Sequence, residues 1–290
     1  MNVKPPIESI SFIGLGLIGM SLLRALRRSS IALETGIVFT GFDPSFSETD
    51  KEDARILGLD RFVEDREELF SADIVVLAAP VQANIAMLDE AARLAPPSTI
   101  ITDVSSTKAN IFHRAEELNL PFIGMHPMAG KELQGFRESA EDLFKDMPIF
   151  LCHKDDLLTS MRAEAFKDML SSVAGDTVMI DPDRHDWIMA RISHLPQLIS
   201  TVLIDYCSPE LRRTGAGFAS LTRLAGSPWE IWRDIIGTNS KNIADALEVF
   251  ATKLVELSWE VRDLENESLE SRFNQANKAY KFMRLRGWRK

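Results

Sequence analysis

Between Ser9 and Gly19 the chain reads Ser-Ile-Ser-Phe-Ile-Gly-Leu-Gly-Leu-Ile-Gly, an apolar β-type run that enters a G-x-G-x-x-G turn and leaves it as a helix. Three glycines at this spacing are weak evidence alone, because chance matches are common, so the flanks decide. Before the turn stands a strand. After it, Ile18, Leu22, Ala25 and Leu26 recur at helical spacing while Arg24, Arg27 and Arg28 take the other face. In that strand-turn-helix order the glycines serve separate ends. Gly14 permits the tight turn, Gly16 lets the backbone approach a pyrophosphate, and Gly19 lets helix and strand pack closely. Such a pyrophosphate rests on the unpaired amides at the helix N-terminus, where the helix dipole is positive.

The pattern after this turn extends the same architecture. Apolar runs at Ile10 to Ile13, Ile37 to Phe42, Asp73 to Ala78, Thr99 to Asp103, Pro121 to Gly124, Ile149 to Cys152 and Thr177 to Ile180 alternate with amphipathic stretches. That alternation predicts a parallel sheet covered by helices on both faces. Ser47 or Thr49 is a candidate cap for a helix ending at Gly58, and Ala83 to Leu94 reads as another helix before Pro96-Pro97. Beyond Asp181 the strand pattern stops. Asp183 to about Asp205, Ala216 to Leu224 and a long run from Asn242 past Glu267 all read as helix. The expected fold is therefore α/β: a Rossmann-type doubly wound sheet over residues 1–180, then an all-α domain over 181–290. So long an amphipathic run leaves an apolar stripe uncovered unless another chain packs on it, which predicts a homodimer through the helical domain.

Asp43 follows the second strand, about 24 residues after Gly19, close to the ~20-residue separation expected of the acid that binds ribose hydroxyls. Its carboxylate accepts from a 2′-OH and repels a 2′-phosphate, and the next Arg or Lys is Lys51, so the expected cofactor is NAD rather than NADP. Gly14, Gly16, Leu17, Ile18, Gly19, Asp43 and Pro80 are the candidate cofactor contacts. Composition removes other classes of function. A net charge of −10 disfavours nucleic acid as a partner, because phosphate binding needs a basic surface. Cys152 and Cys207 form neither a disulfide framework nor a metal motif. No apolar run approaches the ~18 residues of a membrane span, and no signal-peptide pattern opens the chain, so a cytoplasmic protein is expected. The run from Lys278 to Lys290 holds no acid and reads as a solvated helix end, with docking onto an acidic partner subunit as the alternative.

In an open α/β sheet, ligands bind beyond the carboxyl ends of the strands. Two polar segments fall there: Thr102-Asp103-Val104-Ser105-Ser106-Thr107-Lys108 and Gly124-Met125-His126-Pro127-Met128-Ala129-Gly130. Together they resemble the prephenate/arogenate (cyclohexadienyl) dehydrogenase family, which carries a D-x-x-S-x-K segment followed by G-x-H-P-x-x-G. Ser193-His194-Leu195-Pro196, Gly215-Ala216-Gly217-Phe218, Thr222-Arg223-Leu224-Ala225 and Trp232-Arg233-Asp234-Ile235 are similar, in order, to the family's helical signatures. The resemblance spans roughly residues 10–280.

That resemblance implies an NAD-dependent oxidative decarboxylation in tyrosine biosynthesis: hydride leaves C4 of a cyclohexadienol, the ring carboxylate leaves as CO₂, and the ring becomes aromatic. Prephenate gives 4-hydroxyphenylpyruvate, and arogenate gives tyrosine. By the same resemblance His126 is the general base for the C4 hydroxyl, a role suited to an imidazole whose reference pKa of ~6.5 lies near working pH. Ser106 bonds the same hydroxyl or orients His126; from the residues alone it reads equally well as a helix N-cap, with Lys108 to Leu118 as the helix. Arg223 is assigned to the ring carboxylate, which a guanidinium grips as a fork. His194 is assigned to the substrate's side chain, and Glu132 to the mouth of the cleft.

Lys131 and Ala219 depart from residues common in the family at their positions. His113, His153 and His185 match no motif and read as ordinary surface or structural residues. Prephenate dehydrogenase is the leading reading, and an arogenate or dual-specificity enzyme is its alternative. A β-hydroxyacid dehydrogenase using Lys241 leaves the His-Pro and Ser-His-Leu-Pro segments unexplained. A non-catalytic NAD-binding sensor leaves Ser106 and His126 without work.

Overall fold

The computed structural model describes residues 5–131, 133–154 and 160–285. Eight strands lie in one sheet among the described residues: β1 (Ser9–Ile13), β2 (Val38–Phe42), β3 (Arg61–Phe62), β4 (Ile74–Leu77), β5 (Ile100–Asp103), β6 (Phe122–Pro127), β7 (Pro148–Cys152) and β8 (Asp176–Met179). Their spatial order is β3-β2-β1-β4-β5-β6-β7-β8. The order reverses between β1 and β4, so the crevice at that switch point opens beside the glycine turn. β4 is Ile-Val-Val-Leu with every residue buried, as a central strand covered on both faces requires.

Helices α1 (Leu17–Arg27), α2 (Ser30–Thr35), α3 (Glu48–Ile56), α4 (Arg66–Phe70), α5 (Val81–Leu94), α6 (Ala109–Glu117) and α7 (Met161–Val173) cover this sheet. On one face Met20, Leu22 and Leu26 of α1 join Phe12, Phe39, Ile149 and Phe166. On the other, Leu88 and Ala91 of α5 and Ile111 and Phe112 of α6 join Val75, Leu77 and Ile101. Each such large side chain, when fully buried, contributes ~1.5–3 kcal/mol relative to exposure.

The sheet is not wholly parallel, contrary to expectation. β7 runs antiparallel to β6, pairing Gly124 with Cys152 and Pro127 with Ile149. Among the described residues the segment between them supplies a short 3-10 turn, Phe136–Glu138, and no crossover helix, so the strand returns as an antiparallel neighbour. β6 also continues three residues past Gly124, which places His126 inside a strand rather than in the turn after it. β3, α2, α4 and α7 add elements that the hydrophobic pattern did not single out. Ser47 caps α3 in a capping box with Asp50.

After β8, α8 (Pro182–Met189) begins at Asp181, whose side chain accepts from the Arg184 amide. A π-turn at Ala190–His194 leads into α9 (Leu195–Tyr206), then α10 (Ala216–Leu221) and a 3-10 turn, Arg223–Gly226. The long helix starts earlier than expected: α11 spans Trp229–Arg262 with a kink at Asn239, whose φ/ψ are −134° and 25°. It ends where Leu264 takes a left-handed φ of 54°, and α12 (Asn266–Leu285) follows as a separate helix. The continuous run past Glu267 is thus two helices. α12 buries none of its side chains, and Trp259, Phe273 and Phe282 are exposed along these two helices. Among the described residues no helix is long and apolar enough to cross a membrane.

Candidate active site

At the glycine turn the backbone leaves each glycine a separate constraint. Gly14 has φ +101°, and a Cβ there would lie 2.5 Å from the Ala78 carbonyl carbon at the end of β4. A Cβ on Gly19 would fall on the Gly14 carbonyl oxygen, whereas one on Gly16 would meet no atom within 4 Å. Gly16 therefore faces the open side, and it is also the N-cap of α1, with no side chain bonded to the helix's first amides. Open backbone beside an uncapped helix N-terminus fits a dinucleotide pyrophosphate. Leu17 and Ile18 form the first, half-buried turn of that helix, and Pro80 is the exposed N-cap of α5 across the crevice.

Asp43 follows β2 and does more than await a ribose. Its Oδ2 accepts from the Leu15 amide at 2.9 Å, and its Oδ1 accepts from the amide and hydroxyl of Ser45 at 3.0 and 2.6 Å. The carboxylate thus ties the glycine turn to β2 and keeps lone pairs for a ligand. Lys51, the nearest downstream cation, is bonded to Glu48 and Glu64 at 2.7 Å each, so a 2′-phosphate finds no ready partner in it.

Beyond β5 the polar segment folds around a buried ion pair. Asp103 and Lys108 are both fully buried and in contact. The same carboxylate accepts from the Ser105 amide at 2.9 Å and the Met125 amide at 3.2 Å, locking β5 to β6 one residue before His126. Ser105 Oγ accepts from Asn84 of α5 at 3.0 Å, so the first serine is structural. Ser106 is half-buried and makes no hydrogen bond among the described residues. It is not the helix cap that its position allowed, because α6 has Lys108 at its N-cap and no side-chain cap of its own. The free amides of Lys108 and Ala109 instead donate to Asp186 of α8, at 2.7 and 2.9 Å.

Asp186 leads directly to His126. Its Oδ1 lies 2.8 Å from His185 Nδ1, and His185 Nε2 lies 2.9 Å from His126 Nδ1. His185 is fully buried, with the ring of Phe150 edge-on at 5.6 Å. His185, which matches no motif, is thus a buried residue bonded to His126 across 59 positions of sequence, and only the adjacent His-Asp pair in the opening turns of a helix hints at it. Among the described residues nothing bonds His126 Nε2. Burial holds the His126 imidazole well below its usual pKa, reinforced by repulsion from His185, Lys108 and His194.

His194 closes the other side of this junction. Burial lowers its pKa to about 4 against the opposing pull of Asp186. Its Nδ1 lies 3.3 Å from Asn239 Nδ2 at the α11 kink, and Trp232 packs edge-on at 5.8 Å. His194 Nε2 is buried and is the sole side-chain polar atom among the described residues left there without a partner. A buried nitrogen in that condition costs about 1–3 kcal/mol, which a ligand polar group would recover.

Arg223 lies on a different part of the helical half. It is exposed on the 3-10 turn, which is fastened to α9 by Gln197 Nε2 donating to the Leu224 carbonyl at 2.7 Å and the Ala225 amide donating to Ser200 Oγ at 3.0 Å. Glu132 lies outside the described residues. Lys131 Nζ bonds the Glu138 carbonyl at 2.9 Å, Ala219 is exposed on α10, and Lys241 is exposed on α11 and takes no part in the junction. His113 is a surface residue bonded to Glu116 and Asp183. Cys152 is buried, and that burial pushes its thiol up to about 12.

Comparison with known proteins places the chain in a family. Residues 24–179 match the prephenate dehydrogenase nucleotide-binding domain and residues 181–275 match the prephenate dehydrogenase dimerization domain. The glycine turn lies just upstream of the first match and rests on its own geometry. A cyclohexadienyl dehydrogenase from Zymomonas mobilis is 30% identical over 94% of this chain and 94% of its own. The crystal structure of prephenate dehydrogenase from A. aeolicus with hydroxyphenyl propionate and NAD+ is 26% identical, with a TM-score of 0.85 over 95% of this chain and 98% of that one. Synechocystis arogenate dehydrogenase is 27% identical, with a TM-score of 0.81 over 95% and 99%. The expected cofactor, NAD, agrees with the nucleotide-binding family model and the NAD+-bound neighbour. With a doubly wound sheet, a helical second domain and matches to both family domains, the chain belongs to the prephenate dehydrogenase family.

Proposed function

We propose that this protein is an NAD-dependent prephenate dehydrogenase that converts prephenate to 4-hydroxyphenylpyruvate, with arogenate as the competing substrate. The observation that carries the reading is the junction itself: a buried His126, its imidazole held well below its usual pKa and its Nε2 unbonded among the described residues, on the strand next to the polar Ser106 segment. NAD, when bound, supplies the nicotinamide that accepts hydride from ring C4. The protein's share of the work is to orient the ring and take up a proton.

His126 Nε2 accepts the proton of the C4 hydroxyl as that carbon becomes a carbonyl-like centre. Burial favours this role because the imidazole stays unprotonated at neutral pH, and such general-base help is worth ~10²–10⁴ in rate. Ser106, with its hydroxyl uncommitted, orients the same substrate oxygen. His194 offers its orphaned Nε2 to the substrate's side chain. Arg223 takes the ring carboxylate, supplying local positive charge in a protein of net charge −10. Glu132 is assigned to the cleft mouth on the resemblance alone. Loss of the carboxylate as CO₂ makes the ring aromatic and drives the reaction forward. The exposed apolar faces of α11 and α12 belong to a homodimer interface, a reading supported by the dimerization-domain match.

The side chain of the substrate decides between prephenate and arogenate. Relatives named for each activity, and one named cyclohexadienyl dehydrogenase, match this chain at similar identity. The test is a comparison of kcat/KM for both substrates with NAD+ and NADP+. Prephenate with NAD+ is expected to give NADH and CO₂ with the highest value. Failure of both substrates to give NADH would overturn the proposal.

A further inference from the structure

The bonds around Asp186 determine where protons sit, and that has a consequence for the base. As a carboxylate, Asp186 only accepts. Two of its donors, the Lys108 and Ala109 amides, cannot do otherwise. His185 Nδ1, 2.8 Å from the same Oδ1, must then carry its proton. A neutral His185 consequently presents a lone pair at Nε2, 2.9 Å from His126 Nδ1. For that contact to be a hydrogen bond His126 must donate from Nδ1, and a neutral His126 then has its lone pair at Nε2.

We propose that Asp186 and His185 are positioning residues which, across the boundary between sheet and helices, hold the proton on His126 Nδ1 and keep Nε2 as the acceptor facing the substrate. This rests on the reading of His126 as the base. Neither positioning residue touches the reacting atoms. The charged and titratable groups around the pair are Lys108, Asp103 and His194, and none of them bonds to either ring nitrogen of His185. Phe150 packs on the His185 ring and offers no competing donor or acceptor. The anchor is firm because Asp186 also supplies the N-terminal cap that α6 lacks, a favourable place for an anion. One carboxylate thereby sets the tautomer of the base and seats α8 on the sheet domain.

Asp186→Asn separates this from a merely structural role. The amide has one acceptor for three donors: with its oxygen at the Oδ1 position only the Ala109 amide loses its bond, and with its NH₂ there the Lys108 amide loses its bond and His185 turns its proton to Nε2. In the second arrangement His126 Nδ1 must accept, Nε2 carries hydrogen, and the base is lost. In that arrangement kcat is expected to fall by ~10²–10⁴-fold, as when a triad carboxylate is made an amide, with NAD+ affinity retained. His185→Gln keeps an acceptor near the Nε2 position and is expected to stay within about tenfold of wild type, whereas His185→Met falls by ~10²-fold.

The deciding measurement needs no turnover: imidazole ¹⁵N resonances of the full-length protein at neutral pH. Wild-type His126 is expected to show a protonated Nδ1 and a bare Nε2, and His185→Met, which lacks the acceptor, to populate both tautomers. A protonated Nε2 in the wild type would overturn the inference, as would Asp186→Asn and His185→Met enzymes with unchanged kcat. If neither substrate is oxidised but the wild-type tautomer is as stated, the proposed activity falls and the proton arrangement stands.

Discussion

Two parts of the helical domain that carry proposed substrate contacts are built in opposite ways. Around Asp186, His194 and Asn239 the helices are pressed into the sheet domain, and nearly every polar atom is buried and paired. From Ser208 to Gly226 the chain is a string of short turns with a single buried side chain, Thr222, and Arg223 is exposed among them. Rigidity is the reason for the first arrangement. A proton acceptor must stand in one orientation, and buried paired groups enforce it. The second carries, on an exposed turn, the guanidinium proposed to meet the substrate's ring carboxylate. The lesson is that the proposed base is oriented by buried bonds of the fold, whereas the proposed carboxylate contact stands on an exposed turn.

This contrast breaks most readily at His126. His126→Asn keeps an amide donor near the Nδ1 position toward His185 but removes the acceptor, and kcat is expected to fall by ~10²–10⁴-fold with NAD+ affinity unchanged. Steady-state rates alongside a titration with NAD+ measure both, and unaltered kcat would remove His126 from the role of base.

Arg223→Ala tests the exposed side. Loss of a charge-assisted fork to the substrate is expected to raise KM about 10- to 100-fold with little change in Tm, since the side chain is exposed. A normal KM rejects the carboxylate assignment, and a large fall in Tm means that Arg223 is structural after all.

The smallest effect concerns pH. His126, His185 and His194 are all held below the ordinary histidine pKa by burial. In the unfolded chain each takes up a proton near pH ~6.5, which the folded chain refuses. Stability from this source is therefore complete above about pH 6.5 and is lost as the pH falls toward the folded values. Tm is expected to decline between about pH 7 and 5, less steeply in His194→Gln, while the acid limb of kcat lies below about pH 6.5. A Tm that rises on acidification contradicts the burial of these imidazoles.

Much of the fold is legible in the order of residues. Strands β1, β4 and β5, helix α5 and the onset of α1 lie where hydrophobic spacing puts them, because that spacing reports local burial on one or two faces. Ser47 as a cap and Gly14 as the turn residue are equally local matters. The reversed β7 is not legible in this way: an apolar strand looks alike in either direction, and only the missing crossover helix sets its sense. The break at Leu264 escapes notice because a left-handed residue other than glycine carries no compositional mark.

The G-x-G-x-x-G turn, the acid after the second strand and the helical second half are properties of neighbouring residues, so the sequence by itself determined them, while His126 and His194 became candidates through the family resemblance of their motifs. Tertiary structure alone decided that His185, which matches no motif, touches His126, that Asp186 caps a helix 77 residues earlier in the chain, and that Ser106 caps nothing. Hydrogen bonds between distant segments depend on how two domains pack, and no local periodicity records that packing. The residues that hold the proposed base in place are for that reason invisible until the chain is folded.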